Sequence, residues 1–126
     1  MSQLSIFDIL VGPKIRFENW DESGEPHPEK LDIHLFLKNP RKGWRGCNLA
    51  DIEVHKFKRG WAWSVCYNFN HQGSGYACSG KQRVFAHSAE DAVHYAKIEL
   101  EGKVDGHFDK VDMKHRAAVL DWLKTI

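Results

Sequence analysis

Trp61 to Phe69 (WAWSVCYNF) decides the fold. Large apolar side chains alternate strictly with small or polar ones along this segment. Alternation with a period of two predicts a β-strand that buries one face. Arg59-Gly60 precedes the segment and predicts a tight turn, because glycine tolerates positive φ. The segment Ile52–Lys58 before that turn is therefore predicted to be its antiparallel partner.

Further strands are predicted on both sides of this hairpin. The strand Leu31–Lys38 is predicted to end at Asn39-Pro40, because proline has no backbone N–H to donate to a neighbouring strand. The polar stretch Asp21–Lys30 is predicted to be a loop, and Asn70–Gly75 a turn. The outer strands are Lys14–Trp20, Leu31–Lys38 and Tyr76–Ala86, the last with a break near Ser79-Gly80.

Two helices are predicted after the strands. Ser88 is placed to accept a hydrogen bond from the Asp91 amide at the start of the first helix, and Gly102 is its predicted end. The second helix runs from about Asp112 to Ile126. Its apolar stripe is Ala118, Val119, Trp122, Leu123 and Ile126.

The predicted fold class is α+β: an antiparallel sheet of about five strands, with both C-terminal helices packed on one face. The part from Ile52 to Gly102 resembles the sheet-plus-helix core of double-stranded-RNA-binding domains and of HicB-type antitoxins. That likeness is one of fold alone.

Length and composition limit the class of protein. The chain has 126 residues, which suits a single domain over 1–126. No apolar run approaches the roughly 20 residues that cross a bilayer, so no membrane contact is expected. Met1–Leu10 lacks the pattern of a signal peptide, and three cysteines do not suggest a disulfide framework. A cytoplasmic location is expected.

Charge is distributed unevenly although the total is only +1. Residues 1–29 carry two basic and six acidic side chains, and residues 38–59 carry seven basic and two acidic ones. Such segregation indicates either an interaction face or two surfaces that attract each other.

One short motif stands out near the N-terminus. Gln3-Leu4-Ser5-Ile6-Phe7 (QLSIF) resembles the pentapeptide QL[S/D]LF by which bacterial replication and repair proteins dock on the β sliding clamp. The resemblance implies that Gln3 enters a polar subsite while Leu4, Ile6 and Phe7 fill apolar pockets. Residues 1–10 would then be a docking peptide. The alternative is that the same apolar residues belong to the core.

Basic residues with an interleaved tryptophan indicate a second contact surface. Cations neutralise phosphates and aromatic planes stack on bases. The candidate residues, for nucleic acid or for a protein partner, are Arg41, Lys42, Trp44, Arg45, Lys56, Lys58 and Arg59. Trp61, Trp63 and Tyr67 would extend this surface as a stacking platform if they faced outward. The alternative places them beneath the helices.

No pattern predicts catalysis, a metal or a cofactor. Phosphate-binding loops, nucleophile elbows and local metal spacings are absent from the sequence. A zinc site assembled from Cys66, Cys78 and His71 stays open. His55, His71 and His87 are the candidate general bases, with surface histidines as the alternative.

Two functions are therefore predicted. The first is a non-enzymatic accessory protein of DNA replication or repair, of phage or plasmid origin, that docks on the clamp and contacts nucleic acid or a protein through Arg41–Arg45 and Lys56–Arg59. The second is a small inhibitor or antitoxin-like protein that blocks a nuclease or toxin. In that case the acidic stretch Glu18–Glu29 or the basic residues would form the contact.

Overall fold

A computed structural model of the chain describes residues 12–22, 24–70 and 72–126. These residues form six strands in two antiparallel sheets, followed by two α-helices. The strands are β1 (Ile15–Arg16), β2 (Ile33–Leu37), β3 (Ala50–Phe57), β4 (Gly60–Asn68), β5 (Gly73–Gly75) and β6 (Val84–Phe85). The helices are α1 (Ala89–Asp105) and α2 (Met113–Leu123), with a 3₁₀ turn at Lys110–Asp112 before α2.

The α+β class is confirmed, but the prediction of five strands in one sheet is wrong. A four-stranded sheet has the order β2-β3-β4-β5, and β1 pairs with β6 in a separate two-stranded sheet. A bridge between Trp61 and Ala86 links the two sheets. The predicted fifth strand, Tyr76–Ala86, contributes only β6.

Glycine-rich β5 was predicted to be a turn. It pairs instead with the end of β4, with Gly75 opposite Cys66. A Cβ on Gly75 would lie 2.7 Å from the Cys66 sulfur. The glycine is therefore needed for close approach of two strands.

The first hydrophobic core lies between the four-stranded sheet and α1. Trp63, Val65 and Tyr67 of β4 are buried there. Ala62 and Ser64 on the other face are buried as well, so the expectation that β4 buries one face only is wrong. Helix α2 packs mainly on α1, so the prediction that both helices cover one sheet face is met only for α1. Among the described residues, no helix combines the length and apolar character needed to cross a membrane.

The start of α1 is confirmed, and its end is not. The Ser88 side chain accepts a hydrogen bond from the Asp91 amide at 3.1 Å. The helix runs past Gly102 to Asp105, because Val104 is fully buried in the core. Core packing thus overrides the low helix propensity of glycine.

A second core covers one end of the opposite sheet face. Its buried residues are Phe57, Ala62, Cys78 and Phe85, and Ile15, Phe17 and Leu31 pack against them. The two-stranded sheet therefore closes the sheet end that contains the β3–β4 turn. This layer also brings the acidic N-terminal segment to that turn.

Candidate nucleic-acid interface

The predicted basic residues divide into two groups at opposite ends of β3. Pairing of Leu37 with Ala50 puts the loop after β2 at one end, and pairing of Phe57 with Gly60 puts the β3–β4 turn at the other. At about 3.3 Å per residue, the ends of β3 are about 23 Å apart. The residues form two separate basic segments. The basic loop contains Arg41, Lys42, Trp44 and Arg45, and the basic turn contains Lys56, Lys58 and Arg59.

Arg59 of the basic turn is occupied by contacts within the protein. Its Nη1 donates to the Asn19 carbonyl oxygen at 2.8 Å, and its Nε lies 3.9 Å from an Asp21 carboxylate oxygen. The guanidinium carbon lies 4.3 Å from the centroid of the Phe17 ring. Arg59 therefore binds the segment 17–21 to the β3–β4 turn.

The rest of the basic turn also faces acidic groups. The Lys58 amide donates to a Glu25 carboxylate oxygen at 3.2 Å, and the Lys56 amide donates to an Asp32 carboxylate oxygen at 2.9 Å. Arg59 is the one side chain of this turn that forms an ion pair among the described residues. The acidic groups at Glu25 and Asp32 accept backbone amides and hold the turn in place, so they do not neutralise the Lys56 and Lys58 ammonium groups.

The basic loop has a defined backbone conformation. The Asn39 side chain accepts a hydrogen bond from the Arg41 amide, and the Trp44 amide donates to the Arg41 carbonyl, both at 3.0 Å. Gly43 has a φ of +74°, which an L-residue side chain disfavours. These contacts close a tight turn although residues 40–47 are all exposed.

Trp44 is held in place at the surface. Its indole Nε1 donates to the Cys47 carbonyl at 2.8 Å, and the Arg41 guanidinium carbon lies 5.9 Å from the ring centroid. The ring lies against Gly46, where a Cβ would come within 2.6 Å of it. Trp44 nevertheless stays 42% exposed. A fixed, accessible aromatic plane loses little conformational entropy on binding.

The cations beside this plane are not neutralised within the described structure. Of the ion pairs among the described residues, none includes Arg41, Lys42 or Arg45. An aromatic plane flanked by unpaired cations can bind a base and its phosphates together. The same cations could also meet an acidic protein surface.

An open groove of about 800 Å³ adjoins Trp44. It is lined by Asn39, Pro40, Arg41, Trp44, Gly46, Cys47, Asn68, Phe69, Asn70 and His115. Residues 68–70 and His115 were not predicted as site residues. Asn68-Phe69-Asn70 reads as a strand ending in a turn, and His115 lies on α2, so neither carries a sequence signal of a site.

The prediction that Trp61, Trp63 and Tyr67 face outward as a stacking platform is wrong. Trp63 and Tyr67 are buried in the first core, and Trp61 is half-buried at its margin. Trp63 packs against Tyr95 of α1, with ring centroids 5.4 Å apart. The alternative, burial beneath the helices, is confirmed.

The zinc candidate of Cys66, Cys78 and His71 stays an untested hypothesis. Within the described residues, no group of three or more His, Cys, Asp or Glu side chains could hold a metal ion. Burial raises the pKa of the Cys66 thiol and raises that of Cys78 to about 12, so both thiols are neutral at pH 7 in the metal-free protein. The third candidate ligand, His71, lies outside the described residues.

Polar side chains on the sheet face opposite α1 bind one another. His34 Nε2 and an Asp51 carboxylate oxygen are 2.8 Å apart, and Ser64 donates to Glu53 at 3.2 Å. Of the candidate bases, His55 accepts a hydrogen bond through Nδ1 from the Asp32 amide at 3.1 Å. These are local structural pairs, and the absence of enzymatic activity stays a prediction.

Gln3–Phe7 lies outside the described residues, so its contacts are not part of this geometry. Comparison of the chain with protein-family models, with curated proteins and with solved structures found no match. The function is therefore argued from the basic loop, its groove and the sequence of the clamp-like motif.

Proposed function

We propose that this protein is a non-enzymatic accessory factor of DNA replication or repair, encoded by a phage or plasmid. Its basic loop binds nucleic acid, and Gln3–Phe7 docks on the bacterial β sliding clamp. The observation that carries the nucleic-acid part is the braced, exposed Trp44 beside unpaired cations.

The preferred ligand of the basic loop is single-stranded nucleic acid. An indole plane can stack on a base only where that base is free of its own helical neighbours. The groove next to Trp44 includes the exposed Asn70, whose amide group can hydrogen-bond to a base edge. Arg41, Lys42 and Arg45 then neutralise phosphates on either side. Each stacked base contributes about 1–3 kcal/mol.

The clamp part of the proposal rests on the sequence of the motif. Gln3, Leu4 and Phe7 match preferred positions of the clamp-binding pentapeptide, and Ile6 replaces leucine. A tethered nucleic-acid-binding module gains effective concentration at the DNA that the clamp encircles. The two activities therefore reinforce each other although they use separate parts of the chain.

Nucleic-acid binding is tested by fluorescence anisotropy with a short labelled oligothymidine. Trp44→Ala is expected to weaken binding about tenfold, because it removes the stacking plane. Trp20→Ala is the matched control, since Trp20 is 58% exposed and has the Arg83 guanidinium 5.3 Å from its ring. Equal losses in the two variants, or no binding by the intact protein, would contradict the proposed site.

Clamp docking is tested separately with purified β clamp. We expect the intact protein to bind in the micromolar range and Leu4→Ala/Phe7→Ala to fold without binding. Loss of folding in that variant would instead place the motif in the core. Recovery of a nuclease or toxin without any clamp binding would favour the inhibitor function.

A further inference from the structure

Strand β2 is an edge of the four-stranded sheet. Within the described ranges 12–22, 24–70 and 72–126, it pairs with β3 alone. The Leu37 carbonyl accepts a hydrogen bond from Leu49, the residue that leads into β3, at 2.8 Å. Backbone groups alternate in direction along an antiparallel strand. His34 and Phe36 therefore direct their N–H and C=O groups to the free edge.

The side chains of β2 are also incompletely covered. Ile33, Leu35 and Leu37 pack at the margin of the first core and are only half-buried. On the opposite face, Phe36 is 45% exposed. Exposed edges in proteins are usually protected by proline, bulges or charges within the strand. The five residues of β2 contain neither a proline nor an Asp, Glu, Lys or Arg.

Two copies of the segment around Leu35 would match each other if they paired antiparallel. If two copies of β2 pair antiparallel across a twofold axis at Leu35, residues whose numbers add to 70 face each other. Ile33 then meets Leu37 of the second copy, and His34 meets Phe36. The flanking Asp32 and Lys38 also face each other, giving two oppositely charged pairs per interface.

The Asp32 carboxylate is accessible for this contact. One of its oxygens accepts the Lys56 amide hydrogen and lies 3.2 Å from His55 Nδ1, yet the side chain is 45% exposed. Lys38 is exposed at the other end of the strand. Opposite charges facing each other across strands stabilise a pairing, and like charges oppose it.

We propose that β2 is a homodimer interface, in which the four-stranded sheets of two copies join into one continuous antiparallel sheet. The partner is a second copy of this chain because the complementarity extends from the apolar centre to both charged ends. A five-residue strand pair is a small interface, so the dimer is expected to be weak. The proposed surface ends at Lys38, which directly precedes Asn39 of the groove beside Trp44.

Sedimentation equilibrium of the full chain, from about 10 µM to 1 mM without nucleic acid, tests the proposal. Lys38→Glu is expected to weaken the dimer about tenfold, because it replaces two attractive pairs by repulsive ones. Lys114→Glu makes the same charge change on an exposed lysine of α2 and should leave the dimer unchanged.

A backbone variant provides an independent test. Phe36→Pro removes an N–H that points to the free edge, where proline is tolerated, and should abolish the dimer. Phe36→Thr loses the same ring but keeps the N–H, and should retain most of the association. Circular dichroism verifies folding of each variant. A chain that is monomeric at 1 mM, or a dimer that resists both Lys38→Glu and Phe36→Pro, would overturn the proposal.

Discussion

The basic loop and the basic turn each contain three cationic side chains, but they have opposite surroundings. In the turn, Arg59 contacts Asn19, Asp21 and Phe17, and acidic residues accept the backbone amides. In the loop, the cations surround an exposed Trp44 with no acidic partner among the described residues. Arg59 of the turn is thus engaged in packing, whereas the cations of the loop stay available for a ligand. The difference comes from the segment Phe17–Asp21, which is distant in sequence and contacts Arg59.

The largest difference in unfolding free energy is expected between substitutions of two glycines, one in the basic turn and one in the basic loop. Gly60 has a φ of +142°, and a Cβ there would lie 3.0 Å from the Ala86 carbonyl oxygen and from Phe85. Gly43 has a φ of +74° with open space around it. Gly60→Ala should cost about 3 kcal/mol of unfolding free energy and Gly43→Ala about 1 kcal/mol. Urea denaturation measures both, and equal costs would contradict the tighter packing of the turn.

The arginines give the next contrast. Arg59→Ala should lower the free energy of unfolding by about 1–2 kcal/mol, because it removes a hydrogen bond and a cation–π contact. Arg45→Ala removes an exposed side chain and should change it by less than about 0.5 kcal/mol. The same denaturation experiment compares them. A destabilised Arg45→Ala variant would show that the loop cation has a structural role.

Alkaline pH tests the core beneath the basic turn. Burial raises the pKa of Cys78 from 9.0 to about 12, so the folded state favours the neutral thiol. The neutral Cys78 thiol contributes to the free energy of unfolding in full below pH 9. That contribution is lost as the pH rises from 9 towards 12, because the thiol ionises more readily in the unfolded chain. Between pH 8 and 10 the loss is about 1 kcal/mol.

Cys78→Ala should remove this part of the pH dependence of the unfolding free energy. Cys47→Ala, which deletes an exposed thiol from the basic loop, is the matched control. An unchanged alkaline profile in Cys78→Ala would exclude thiol ionisation as its cause.

The smallest effect concerns salt. A cation that contacts single-stranded nucleic acid adds about 0.7 to the slope of log affinity against log salt concentration. Arg45→Ala should reduce the slope by about that amount, whereas Lys58→Ala should leave it unchanged. Oligothymidine titrations at several salt concentrations measure both slopes. A lower slope for Lys58→Ala would place the turn in the nucleic-acid interface.

The parts of the fold with local signals could be predicted from the sequence. Alternation around Trp63 predicted the strand β4, and Ser88 with Asp91 marked the start of α1. Which face of β4 lies beneath α1 could not be predicted, because alternation alone does not say where the helices pack. The position of Gly75 against Cys66 could not be predicted, because the reason for a glycine there is a strand close in space. The continuation of α1 beyond Gly102 likewise depends on burial of Val104.

The candidate site likewise combines features that the local sequence predicts with features that depend on residues distant in sequence. The composition of residues 41–45 predicted an exposed basic loop around Trp44. The packing of the Trp44 indole against Gly46 could not be predicted, because it depends on a close approach in space. His115 lines the groove from a helix that is remote in sequence. The sequence also grouped this loop with Lys56–Arg59, although strand pairing places them at opposite ends of β3.

The pairing of β1 with β6 has a consequence for the order of folding. Ile15 meets Phe85 across 70 residues, whereas the β2–β3–β4 hairpins close over short distances. At about 5–20 residues per second, the ribosome produces β6 roughly 4–14 s after β1. The β1–β6 sheet can form only after that interval. Until then the contacts of Arg59 with Asn19 and Asp21 lack the support of that sheet, so we expect the newborn chain to bind polyanions through Arg59 more strongly than the mature protein does.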